Sequence, residues 1–204
     1  MSQILRLALL LALTVTALYG QAAEDSNKSG EPTKNQTEQV AVPGDIDFQI
    51  YLLVGSTVPK ENAKTPALLE GVIRQLKTTL PFNHYRVGGT MLSRARGLRG
   101  QLSLKWNAEA SFGGTNKPAF FDITASDIML NGDNVRVSTF NFGAKVPVAV
   151  VNINGQSITQ YESVGLSTGF TVRESEPAII GTLSAGEGGE IGVVVVVARR
   201  SGNK

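Results

Sequence analysis

Apolar residues recur along this chain in two rhythms. Residues 45–54 read DIDFQIYLLV, with Ile46, Phe48, Ile50 and Leu52 on alternate positions. That period of two predicts a half-buried strand. Leu68, Leu69, Val72, Ile73, Leu76 and Leu80 then follow at helical spacing, one side of an amphipathic helix. Thr65 is placed to cap it, Pro66 suits its first position, and Pro81 ends it. The stripe is expected to pack on a sheet.

From Tyr85 onward the period is two again, broken by glycine-rich turns. Strands are predicted at 85–93, 101–106, 119–126, 135–142, 146–153, 162–173, 178–183 and 191–198. Residues 85–93 and 101–106 are expected to form a hairpin across 96–100, with Leu102, Leu104 and Trp106 on one face. Asn131-Gly132-Asp133-Asn134 reads as a hairpin turn, because Asn-Gly accepts positive φ at low cost. In 135–142 the alternation puts Val135, Val137, Thr139 and Asn141 opposite Arg136, Ser138, Phe140 and Phe142. Residues 191–198 read IGVVVVVA, and five consecutive valines suit a strand covered on both faces. Left uncovered at an edge, such a strand would aggregate. The predicted class is mainly β with one amphipathic helix (α+β), eight to ten strands in an antiparallel sheet or sandwich.

The N-terminus has a different pattern. Arg6 precedes the apolar run at 7–18, LALLLALTVTAL, and small residues follow at Gly20, Ala22 and Ala23. This is the order of a secretory signal peptide. Its run is shorter than the roughly 20 residues of a membrane span. Cleavage after Ala22 is expected, with cleavage after Gly20 as the competitor. Residues 23–44 are polar and read as a flexible linker. The expected organisation is 1–22 signal peptide, 23–44 linker, 45–198 one β-rich domain and 199–204 basic tail. Export to the periplasm or outer membrane of a bacterium follows.

Composition removes several chemistries. The 204 residues include no Cys and a single His, His84. A disulfide scaffold, a thiolate zinc site, a cysteine nucleophile and a three-histidine metal centre are all excluded. Net charge is +2, which by itself suggests no partner. Its distribution is uneven: nine basic and two acidic residues lie in 60–105, four basic and nine acidic in 106–198. Arg94, Arg96 and Arg99 cluster around an expected turn and form the candidate interaction surface. No aromatics interleave with them, which argues against nucleic acid. Contact with a membrane stays open.

Motifs for catalysis are weak. Gly165-Leu166-Ser167-Thr168-Gly169 fits G-x-S-x-G, but that elbow needs a helix after it. Residues 170–173 alternate like a strand, no His follows Ser167, and His84 lies upstream. Ser167 and His84 are therefore not read as a catalytic pair. Asp45 with Asp47 and Glu174 with Glu176 are i, i+2 carboxylates, read as solubilising residues rather than a glycosidase pair. Residues 131–134 lack the ligand set of a calcium loop, and no helix follows Gly186-Glu187-Gly188-Gly189 to hold a phosphate. The expectation is no catalytic, cofactor-binding or metal residue, no cofactor, and no enzymatic activity.

The second half of the chain resembles a known family. Gly143-Ala144-Lys145-Val146-Pro147-Val148 is similar to the G-x-x-V-P segment of bacterial secretins, the outer-membrane ring proteins of type II and III secretion and type IV pili. Tyr161-Glu162-Ser163-Val164-Gly165-Leu166 resembles their V-G-L/V strand. Residues 173–183 resemble their turn and V-I-G-G-L strand, and IGVVVVVA takes the place of the last core strand. The resemblance implies a secretin-core-like fold and an oligomeric structural or accessory subunit of a secretion or pilus system, with itself or a larger envelope complex as partner. The alternative is a monomeric periplasmic β-sandwich that binds a small ligand or glycan. That reading predicts a pocket lined by Trp106, Phe112, Phe120 and Phe121.

Overall fold

The computed structural model describes residues 44–59, 65–96, 99–109, 117–184 and 189–202. The expected signal peptide, almost all of the linker and Phe112 lie outside the described residues. The strands are β1 (Ile46–Ser56), β2 (His84–Ala95), β3 (Gly100–Glu109), β4 (Pro118–Asn131), β5 (Asn134–Ile153), β6 (Gln156–Arg173), β7 (Ala178–Ser184) and β8 (Glu190–Arg200). One helix, α1 (Glu70–Thr79), follows β1. Two antiparallel four-stranded sheets have the orders β2-β1-β8-β7 and β3-β4-β5-β6. We call them sheets A and B.

The layering follows from the side-chain alternation. Ile46, Phe48, Ile50, Leu52 and Val54 of β1 meet Phe121, Ile123, Phe140 and Phe142 of sheet B in the main core. The other face of sheet A, Tyr51, Leu53, Val193, Val195 and Val197, packs under Leu69, Val72 and Leu76 of the helical segment. Strand β8 is thus covered on both faces, as its valine run predicts, and Val193 to Val197 are all fully buried. Each such valine contributes about 1.5–3 kcal/mol of burial. Strands β1 and β8, the first and last of the domain, pair along their whole length at the centre of sheet A.

Four expectations need correction. First, β2 and β3 are not a hairpin: β2 pairs with β1 and β3 with β4, so the chain changes sheets at 96–99. Arg99 turns this corner with a φ of 59°. Second, the helix begins later than the apolar stripe. Pro66 is extended, Ala67–Leu69 form a 3₁₀ turn, and Leu69 is the N-cap without any side-chain cap, so Thr65 does not cap α1.

Third, residues 135–142 and 146–153 are one 20-residue strand, β5. Pro147 is tolerated because β4 pairs with β5 only as far as Lys145. The alternation also breaks inside β5. Val135 and Val137 share the buried face with Phe140 and Phe142, because Ser138 and Thr139 together face Gly169 in a bulge. In β4 the buried set skips in the same way from Ala125 to Ile128 around Asp127, whose φ is 50°. The two breaks are level, so β4 and β5 stay in register. Fourth, Arg199 and Arg200 extend β8 rather than start a tail. Arg200 is held by Glu174, which accepts from its backbone N–H at 2.8 Å and from its Nε at 3.0 Å.

Candidate functional site

Sheet A has one face under α1 and the other in the core, so the open face of the domain belongs to sheet B. Its outward side chains are mostly hydroxyls, amides and charges. Across the middle run Thr124, Asn141 and Ser167. The Ser167 hydroxyl donates to Asn141 Oδ1 at 2.6 Å, and Asn141 Nδ2 donates to Thr124 Oγ1 at 3.2 Å. Ser167 is therefore mid-strand in an exposed polar row. Its flanking glycines serve the sheet: a Cβ at Gly165 would lie 2.8 Å from the Phe142 carbonyl oxygen, and one at Gly169 would lie 2.6 Å from that of Ser138.

The next outward rows carry larger groups. Lys105, Asp122 and Gly143 are neighbours on β3, β4 and β5, and Lys105 Nζ sits 3.7 Å from Asp122 Oδ2. The following row holds Asn107, Phe120, Lys145 and Ser163, one from each strand. Between these rows lies a groove of about 820 Å3 that crosses all four strands. No sheet A residue lines it, and Trp106, Phe121, Ala144 and Val164 line it between the two outward rows. Their side chains point into the sandwich. Trp106 stacks on Phe121 with ring centroids 4.8 Å apart and presses against Gly89 of β2. Of the three described aromatics expected in a pocket, only Phe120 faces the groove. It is 45% exposed and tilts against Tyr161, 40% exposed, at 5.8 Å.

Beyond Lys145, β5 and β6 continue as a two-stranded hairpin. Residues 146–161 carry no charged side chain. Val150, Ile153, Ile158 and Tyr161 are exposed there. The turn is Asn154-Gly155, both at positive φ (50° and 82°). Strand β6 lies at the end of the sheet, hydrogen-bonded to β5 on one side.

The three candidate arginines are all exposed, and they differ in their partners. Arg94 binds Asp47 of β1 in bidentate fashion, at 2.6 and 3.2 Å, while Arg96 and Arg99 are exposed at the sheet-switching corner. The Arg94 hydrogen bond holds the Asp47 carboxyl below the ordinary 3.8. A carboxyl lowered on folding adds stability above its unfolded pKa and loses it as pH falls through the folded one. Replacing Asp47 by Asn should therefore flatten the acid limb of a melting-temperature profile below about pH 4, by a small amount because the pair is solvent-exposed. Ser201 also hydrogen-bonds the Asp47 carboxyl and adds to the lowering, and an acid limb unchanged by Asp47→Asn would show that neither contact contributes to stability.

His84 opens β2. It borders a cleft of about 450 Å3 with Arg74, Lys77 and Arg86, and Arg86 donates to the buried Glu190 at 3.1 Å. Glu174 and Glu176 diverge, one to Arg200 and the other to Arg173 at 3.4 Å. Among the described residues no three histidine or carboxylate side chains converge on a metal position.

No protein-family model and no curated protein matches the chain. Among solved structures, an electron cryomicroscopy structure of the type IV competence pilus secretin PilQ of V. cholerae is similar to it at 7% identity, with a TM-score of 0.33. The match covers 79% of this chain and spans 58% of that one. The likeness is remote.

Proposed function

We propose that this is a non-enzymatic, exported envelope protein that works as a structural or accessory subunit of a secretin-like secretion or pilus assembly. The carrying observation is β6. It is an 18-residue edge strand with no proline and, between its first residue and Arg173, a single charge at Glu162. Soluble proteins blunt such edges with short strands, charges, prolines or cover. The opposite sheet does so: β7 has seven residues and β2 carries Arg86 and Arg94. A long, nearly uncharged edge is suited to pairing with a strand of a neighbouring copy. The secretin-like motifs at 143–148 and 161–166 fall on the β5–β6 pair that presents this edge, which favours an assembly role.

Light scattering of residues 23–204 after size exclusion, with and without mild detergent, tests this. A discrete oligomer is expected. Ser167→Lys with Thr171→Lys, both outward on β6, should reduce it to a monomer by placing like charges along the edge. A monomer in both buffers defeats the assembly reading, as does an oligomer that the two lysines leave intact.

A further inference from the structure

We propose that the groove across the outer face of sheet B is a binding site for a β-linked oligosaccharide, laid across the strands with one pyranose ring on Phe120. This does not rest on the assembly reading, because the groove is complete within one chain.

The lining has the two chemistries that a sugar ring presents. A pyranose has an apolar face of C–H groups and a rim of hydroxyls. Phe120 offers an exposed ring, braced by Tyr161 at 5.8 Å. These two are the aromatic members of the exposed large hydrophobics among the described residues, and they stand together where the polar face of sheet B meets the β5–β6 hairpin. Around the ring are the groups that hydroxyls need. The Asp122 carboxylate accepts, the Lys105 and Lys145 ammonium groups donate, and the Asn107 amide and Ser163 hydroxyl do both. A few directional polar groups around an apolar platform is the composition of a small-ligand site.

Other occupants fit less well. A protein partner would have to strip water from two lysines, an aspartate and an amide for one aromatic pair, whereas interface cores are depleted in charge. Nucleic acid needs a basic track, and here Lys105 is matched by Asp122 at 3.7 Å. The shape also favours a chain molecule. Four strands spaced about 4.8 Å apart make a trough about 14 Å long, the span of a short oligosaccharide. Gly143 keeps its bank open: a Cβ there would meet only the Asp122 carbonyl oxygen, at 3.7 Å. That is ordinary contact, so a side chain at 143 can fill the groove without disturbing the strand.

Isothermal titration of the purified protein with two probes tests this, a β-1,4-linked tetramer of N-acetylglucosamine and cellotetraose. Saturable binding of either is expected. Phe120→Ala should weaken it about tenfold, a loss of about 1.4 kcal/mol, and Gly143→Leu should abolish it. Both variants should melt with the wild-type protein. Binding of the acetylated probe alone identifies an acetamido reader, and equal binding identifies a reader of ring faces; both support the site. No heat with either probe at millimolar concentration overturns the proposal. So does binding that survives Gly143→Leu, because the sugar would then be held elsewhere.

Discussion

Replacing Gly89 with alanine should lower the melting temperature of the domain by about 10 °C, from a loss of roughly 3 kcal/mol at 2–4 °C per kcal/mol for a domain of this size. The added methyl group would sit 1.9 Å from Cη2 of Trp106 and within 3 Å of two further ring carbons. The indole has little room to retreat. It stacks on Phe121, and Phe121 leans on Phe142 with centroids 5.8 Å apart. Gly89 and Trp106 belong to different sheets, so the clash pushes the sandwich apart where the Trp106 ring bridges it. A double-mutant cycle separates this from a loss of strand propensity. In a Trp106→Phe background the shorter ring leaves space for the methyl group, and most of the Gly89→Ala cost should vanish. Additive costs would show that the contact is not what makes alanine intolerable at 89.

Gly169→Ala should be at least as damaging, about 3 kcal/mol or more, at the upper end of single substitutions. Here the obstacle is main chain: the Ser138 carbonyl oxygen at 2.6 Å and that of Val137 at 3.3 Å. Relief requires opening the bulge that lets Val137 and Phe140 share the core face. Closing it into regular pairing would turn either Val135 and Val137 or Phe140 and Phe142 outward. Chemical denaturation of the purified variant measures the cost. Gly143→Ala is the internal control, since its Cβ has ordinary room, and should cost under 1 kcal/mol. Equal losses at 143 and 169 would remove the special role given to the bulge.

Much of this architecture can be read from residue order. The valine run of β8 shows a strand buried on both faces because no other secondary structure of that length tolerates it exposed. The stripe from Leu68 to Leu80 shows a helix on a sheet because six apolar residues share one side. Alternation fails where the period itself changes. The step across Ser138 and Thr139 is set by Gly169, some thirty residues away, and no local pattern at 135–142 records it. Pairing is similarly invisible: the glycine-rich segment at 96–100 looks like a hairpin, and only competition from β1 and β4 makes it a corner. Asn131-Gly132-Asp133-Asn134 was legible as a hairpin turn, and it joins β4 to β5. The Asn154-Gly155 turn between β5 and β6 was not, because the alternation predicts a strand only from residue 162. The groove was legible only in Phe120. Trp106 and Phe121 have the same composition value as Phe120, and parity along β3 and β4, not residue type, turns them inward.

The central ladder of sheet A joins Ile46–Ser56 to Glu190–Arg200, so a ladder of mostly buried residues closes between the first and last strands of the domain. A chain that appears N-terminus first, from a ribosome or a translocation channel, has no partner for that side of β1 until nearly the whole domain has emerged. Closing so long a loop is slow, and before it closes the apolar edge of β1 is open to other strands. The architecture therefore delays completion to the end of delivery. Until then sheet A is not locked, and the β1 edge stays available for mispairing.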